Sequence, residues 1–476
     1  MLSNPSVPSV AESASPGPSP LPVFQGPRHR IRTLLALLAT TVVLLPWVFD
    51  IPSIWGGILN GTEINVLRYH IDFHVYREGA LALLAGDNIY LRDYEVRGIV
   101  LPFTYPPLGA ILFTPLTLLP MMPGAAVWAL ITVVLLWWCM VIVLRRALPQ
   151  LGTVDHRILA TWALPVALLF EPVRETLSFG QINVLLMLLV LLDTLGRQSR
   201  LPRGILIGLA AAIKLTPAVF ILYFLVRRDW KGAATTVASG VFFTLLAFAL
   251  NPTISWTYWL DTLQNTDRIG GLAYTANQSF QGMLFRVLPE SSVGPAWLVL
   301  VILGLVGIIA AMLRVQGAAS SAETSALGLV MLNSLVALVC SPVSWSHHWV
   351  WLVPVALLCA VTLWRSWDRD PLTRRVAGGM TLLSISCVLL QPHWSLPNTR
   401  EQELDWSWWV QPWGNSYLII AIFLVISALL LPRLLPPQEE TQTGAGHIDN
   451  PLARGWSFLL LPVAVVMSIG SVVLIF

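Results

Sequence analysis

GILIGLAAAIKLTPAVFILYFLV, residues 204–226, is long and apolar enough to read as one membrane-crossing helix, but its own residues argue against that. About 20 apolar residues cross a hydrocarbon core of roughly 30 Å, yet this stretch carries Lys214 near its middle and Pro217 three residues later. Proline removes a helical hydrogen bond and clashes with the preceding turn, and an ammonium inside an apolar span is costly unless paired or hydrated. Charge topology agrees. Arginine clusters stay on the cytoplasmic side, and a single crossing here would carry Arg227 and Arg228 to the other side. Two half-length helices meeting on the outer side at Lys214-Leu215-Thr216-Pro217 keep them in place. Non-helical backbone at membrane depth is tolerated only where protein or a water-filled cavity covers it, and broken helices mark binding sites. The stretch therefore predicts a cavity on the outer face.

The rest of the chain fits a membrane bundle. Of 476 residues, 56% are hydrophobic and only 11% charged, with a mean hydropathy of +0.71; soluble domains carry about 25% charge. Apolar windows recur at 33–52, 123–144, 157–171, 182–196, 231–250, 294–313, 324–340, 348–364, 376–391, 415–432 and 456–475. The expectation is an all-α polytopic membrane protein with about 11–13 transmembrane helices, broken half-helices included. Residues 1–27, rich in Ser and Pro, read as a disordered cytoplasmic tail, and 28–476 as one integral domain. Within it, 53–122 forms the first outer loop and 434–454 a cytoplasmic loop. Segment 101–120 holds five prolines (Pro102, Pro106, Pro107, Pro115, Pro120) and is read as re-entrant or interfacial, because a full crossing would put Arg145 and Arg146 outside. The net charge of +3 comes from these basic loops and does not indicate nucleic acid. Four cysteines sit singly in apolar runs, with neither metal-ligand spacing nor a disulfide framework. Lys214 and Lys231 are the only lysines among 28 basic residues, which makes Lys214 conspicuous.

Polar residues that are not basic anchors collect on the outer side. They lie in 69–107, 171–183, 214–217, 251–293, 341–349 and 393–413. In 69–107, YHIDFHVYREGALALLAGDNIYLRDYEVRGIVLPFTYPP, Asp72 stands between His70 and His74, followed by Tyr76 and Arg77. Positions 70 and 74 share a helix face while Asp72 points away, so a metal site using all three needs irregular backbone. A lone carboxylate facing a cavity suits a general base: burial raises its pKa and hydrogen bonds or Arg77 pull it back. The alternative is an interfacial helix whose charges face water. Tyr105-Pro106-Pro107 stops any helix before it. Arg174 lies three residues after Glu171, at a spacing that allows pairing on one helix face; a structural ion pair and a contact to an anionic substrate both remain open. A compact lysine cation between half-helices suits a phosphate. His347 and His348 point about 100° apart on a helix, so at most one faces a site.

In this order the chain carries D-F-H-V-Y at 72–76, P-F-T-Y-P-P at 102–107, E-P-V-R at 171–174, G-Q-I-N-V-L-L-M at 180–187, I-K-L-T-P-A at 213–218, N-Q-S-F-Q-G at 277–282 and S-P-V-S-W-S-H-H-W-V-W-L-V-P at 341–354. As a set these resemble glycosyltransferase family 87, lipid-phosphate-sugar-dependent transferases of the GT-C class. The resemblance implies a GT-C fold with a catalytic first outer loop, a polyprenyl-phosphate-mannose donor, and a glycolipid acceptor of the phosphatidylinositol mannoside or lipomannan type. It also implies inverting transfer that forms an α-1,2 linkage, outside the cytoplasmic membrane. Asp72 matches the family's general base. Lys214, His347 and His348 are then expected at the donor phosphate, and His74, Tyr76, Tyr105, Arg174, Gln181, Asn183, Asn277 and Gln278 are candidates for substrate contact. No metal ligand is assigned, and dependence on a divalent metal ion stays open, Asp87 being the nearest second carboxylate. Two other readings share features: a polyprenyl-phosphate-arabinose-dependent arabinofuranosyltransferase of the same family, and a lipid or sugar transporter.

Overall fold

The computed structural model describes residues 27–49, 70–196, 201–265, 270–367, 370–399, 401–435 and 451–475. The tail before residue 27, residues 53–69 of the outer loop and most of the 434–454 loop lie outside the described residues. The chain is an all-α polytopic membrane protein. Five helices are long and apolar enough to cross a bilayer: Met121–Ala147, Trp230–Leu250, Glu290–Ala318, Ser346–Ser366 and Pro451–Leu474. Helices Glu171–Phe179 and Asn183–Leu195 form a sixth candidate span, bent by 117° at the break. Shorter apolar helices such as Ser416–Leu430 pack among them.

The quoted stretch breaks at the lysine. Helix Ile205–Ile213 ends at Lys214, whose backbone is extended (φ −148°, ψ 127°). A 3₁₀ turn, Thr216–Phe220, then leads into helix Ile221–Val226. The first half-helix is held by close packing rather than length. Gly204 and Gly208, one turn apart, let it press against Trp230–Leu250, where a Cβ at Gly208 would overlap Ser239 Oγ and the Gly240 nitrogen. Asp193, an acid in an otherwise apolar helix, is explained here too: its carboxylate accepts from Gly204 N at 2.7 Å and Ile207 N at 2.8 Å, satisfying the half-helix N-terminus.

Residues 70–118 form a packed lobe with its own core. Helix Ile71–Leu84 is followed by an antiparallel hairpin, Asp93–Val96 with Ile99–Pro102. The connecting Arg97 and Gly98 both have positive φ (51° and 79°), the two-residue turn that matches strand twist. Sequence reading missed this hairpin, although E-V-R-G-I-V, with its glycine turn between β-branched residues, is its signal. Helix Pro107–Phe113 and the 3₁₀ turn Thr114–Leu118 come next. At 1.5 Å per residue they extend less than about 20 Å, too short to cross. Tyr76, Ala80, Tyr90, Phe103, Phe113 and Tyr258 form the buried centre of the lobe, with Tyr76 stacked on Phe113 at 4.3 Å.

Candidate active site

Asp72 sits in the first turn of Ile71–Leu84, half-buried at the base of the lobe. The helix is fixed to the bent pair by His70, whose backbone N–H donates to Ser178 O at 2.9 Å. His70 itself is strained, a non-glycine residue at φ 25°. Its ring is fully buried with both nitrogens lacking hydrogen-bond partners, and burial, aided by the Arg97 charge, lowers its pKa to about 4, so it is neutral. The break in the bent pair supplies the other wall. Gly180 adopts φ 70°, and a Cβ there would lie 2.5 Å from Phe73 Cβ, so only glycine lets the chain turn against the residue next to Asp72. That turn delivers Gln181 and Asn183.

These residues form one continuous polar network. Tyr76 OH and Tyr105 OH are hydrogen-bonded at 2.6 Å, one donating to the other, and both lie 3.1 Å from Gln181 Oε1, which accepts the remaining phenol proton. Lys214 Nζ donates to Tyr105 OH (3.4 Å), Asn183 Oδ1 (3.2 Å) and His348 Nε2 (3.3 Å), and lies 5.2 Å from the centre of the Tyr105 ring. Burial raises Asp72 to about 6, while the Gln181 side chain and the Lys214 charge pull it back. Tyr105 is pushed above its ordinary value, chiefly by burial, and stays a neutral donor.

Two consequences follow from these geometries. Asp72 is a carboxylate that ionises near neutral pH and sits at one end of the network. At the other end is an ammonium whose three hydrogen-bond partners are a phenol, an amide and an imidazole acting as acceptor, all uncharged. Lys214 and His348 stand at the mouth of a narrow apolar groove. Its walls are Leu186, Met187 and Val190 of the bent pair, Pro217 and Phe220 after the break, and Ala337, Leu338, Val350 and Trp351. A cation at the mouth of a hydrocarbon-lined groove fits an anionic head group carrying an apolar chain.

Other sequence candidates lie elsewhere. Of the two histidines, His348 faces the site. His347 is buried beneath it, its carbonyl accepting from Thr176 Oγ1 and Asn183 Nδ2 and its ring edge-on to Phe179 at 5.1 Å. His74 faces Glu78 at 3.7 Å, outside the network. Arg174 belongs to a second buried cluster: it donates to Gln391 Oε1 at 2.6 Å, while neighbouring Glu171 accepts from Tyr417 OH (2.6 Å) and Trp394 Nε1 (2.8 Å). Asn277 and Gln278 are spent on backbone. Asn277 Oδ1 accepts from Ser344 N (3.0 Å) and its amide donates to Leu272 O and Pro342 O; Gln278 Nε2 donates to Thr275 O and Gly414 O. They pin the segment before helix Phe280–Val287 to the turn that carries the histidines. Asp87 pairs with exposed Arg92 at 3.0 Å. Among the described residues no three of His, Cys, Asp or Glu converge on a point. Asp72 has the Gln181 side chain beside it and the Lys214 charge acting on it rather than a second carboxylate, a donor set that does not fit a divalent cation.

Residues 103–342 match the model of Glycosyltransferase family 87. The chain is 38% identical over 394 residues (79% of this chain, 88% of the relative) to the polyprenol-phosphate-mannose-dependent alpha-(1-2)-phosphatidylinositol mannoside mannosyltransferase of Mycobacterium tuberculosis. It is also 38% identical over 434 residues (86% and 94%) to the protein of the same name in Mycolicibacterium smegmatis. A Mycolicibacterium smegmatis protein named as a polyprenol-phosphate-mannose-dependent alpha-(1-2)-phosphatidylinositol pentamannoside mannosyltransferase is 35% identical over 341 residues (69% and 76%). No solved structure matches. The family match holds Tyr105, Gln181, Asn183 and Lys214 but stops short of Asp72 and His348 at either end.

Proposed function

Because this chain belongs to glycosyltransferase family 87 and is a membrane glycosyltransferase, we propose that it transfers mannose, with inversion, from a polyprenyl-phosphate-mannose to a hydroxyl of a phosphatidylinositol mannoside or lipomannan-type acceptor. The product carries an α-1,2 linkage, and the site faces the outer side of the cytoplasmic membrane. The observation that carries this reading is the Lys214 ammonium lining the apolar groove with only uncharged hydrogen-bond partners, joined through Tyr105 and Gln181 to the Asp72 end. The relatives' names support mannose over arabinose and transfer over transport.

Asp72 takes the proton from the acceptor hydroxyl as that oxygen attacks the anomeric carbon. The bond from that carbon to the phosphate oxygen breaks, and its electron pair leaves with the polyprenyl phosphate. Negative charge grows there in the transition state, where Lys214 is already placed to meet it. The leaving phosphate is ionised as it departs and needs no proton. His348 accepts from Lys214 and so orients the ammonium. Tyr76, Tyr105 and Gln181 hold base and cation at a fixed separation.

The test is transfer by the purified protein. Given polyprenyl-phosphate-mannose and a phosphatidylinositol mannoside, it is expected to yield an acceptor longer by one mannose, cleavable by an α-1,2-mannosidase. Transfer from polyprenyl-phosphate-arabinose alone would overturn the reading.

A further inference from the structure

A cavity of about 550 Å³ lies at the far end of the bundle from Asp72, and the transfer chemistry does not use it. Helix Asn183–Leu195 runs between the two: Asn183 holds Lys214 at one end, and Leu195 and Gly196 line this cavity at the other. Thirteen helical residues put about 20 Å between them. Three arginines converge on the space, Arg145, Arg146 and Arg203, with His156, Ser321 and Thr324 as further polar lining. Glu323 is the carboxylate among the described lining residues, so the local balance is positive.

Basic residues at a membrane boundary ordinarily extend their stems and keep their heads in water. Arg145 and Arg146 are held differently. Arg146 is spent as a brace, its Nε donating to Leu195 O at 2.8 Å and its Nη2 reaching Gly196 O at 3.5 Å. Arg145, beside it on the last turn of Met121–Ala147, has its Nε buried without a hydrogen-bond partner while the side chain faces the cavity. Arg203 projects from just before the first half-helix; its charge acts on the nearby Asp193 carboxylate, whose oxygens accept from Gly204 N and Ile207 N, and no hydrogen bond to the Arg203 guanidinium is seen among the described residues. Two guanidinium groups thus border a roomy concave space with donors to spare. Planar guanidinium forks bind phosphate oxygens in pairs, and basic pockets between membrane helices take phosphate head groups.

We propose that this cavity binds a phosphate-bearing anion, at a second site separate from the one where the donor phosphate sits. The anion is a lipid head group entering from the membrane or a soluble phosphate entering from water, and the two arms of the test distinguish them. In the first arm, full-length protein is reconstituted in nanodiscs of phosphatidylcholine with phosphatidylglycerol, and retained lipid is read by native mass spectrometry. In the second, radiolabelled inorganic phosphate is titrated against protein in phosphatidylcholine alone. Both arms are repeated with Arg145→Gln, Arg203→Gln and the double variant, each checked for wild-type thermal unfolding. The proposal expects selective retention in one arm, weakened about tenfold for each arginine removed. Retention of phosphatidylglycerol assigns the lipid source, and saturable phosphate binding assigns the soluble one. Should the double variant fail to fold, the exposed Arg203→Gln change carries the test. No selective binding in either arm, or binding equal in wild type and folded variants, would overturn it.

Discussion

Replacing Lys214 with methionine separates its chemical role from its structural one, because the two respond in opposite directions. The side chain has nearly the same length, so the break between the half-helices keeps its packing. The ammonium is lost, and with it the hydrogen bonds to Tyr105, Asn183 and His348. Two of the three partners keep another tether: Tyr105 holds Tyr76 and Gln181, and Asn183 holds the His347 carbonyl. Removing a charge that is expensive at membrane depth offsets those losses, so thermal unfolding should stay within a few degrees of wild type. Catalysis should not. Deleting one donor aimed at developing negative charge costs about 10²–10³ in kcat, or about 2.7–4 kcal/mol. The donor's KM should rise as well, since the same cation meets the ground-state phosphate. Lys214→Arg should recover only part of the rate, because the guanidinium is larger and planar where the groove mouth fits a compact cation. The assay is transfer of radiolabelled mannose from the lipid donor in detergent, with kcat and KM separated. A folded Lys214→Met protein within about threefold of wild-type kcat would refute the reasoning, since that loss is under 1 kcal/mol.

Asp72 works only when ionised, and with its pKa raised to about 6 the transfer rate should fall with unit slope as pH drops through that value and level off above it; a rate flat from pH 5 to 8 would contradict this. Gly180→Ala should lower the thermal midpoint, because the φ of 70° and the 2.5 Å approach to Phe73 together cost at least about 1–3 kcal/mol, and activity should fall with it as the neighbouring Asp72 shifts. Asn277→Ala leaves Ser344 N and Leu272 O without their side-chain partner, while Pro342 O keeps Ser279 Oγ, and should destabilise by about 1–3 kcal/mol in thermal or denaturant unfolding.

Much of this arrangement was legible in the sequence because charge in a membrane is expensive and so shows. Lys214 and Pro217 announced the broken helix, and Asp72 stood out as a carboxylate beside an apolar bundle. The side-chain network was not legible. Nothing in the spacing of Tyr76, Tyr105 and Gln181 says that they meet, since their contacts span up to 105 positions. The histidine pair illustrates the same limit: helical geometry allowed one to face the site, but which one depends on Phe179 and Thr176 claiming His347 from a distant element. Segment 171–183 reads as a polar element on the outer side; its Glu171–Phe179 part is a short, almost wholly buried helix whose Glu171 and Arg174 are met by Tyr417, Trp394 and Gln391. Those partners sit more than two hundred positions away, in a region without any recognisable motif.

The central claim is that Asp72 is the base for a sugar leaving a lipid phosphate held by Lys214. Single-turnover transfer with Asp72→Asn tests it most directly, with donor binding measured on the same preparation. The account predicts donor affinity close to wild type and no mannosylated acceptor. Product formed at the wild-type rate by a folded Asp72→Asn protein would contradict it.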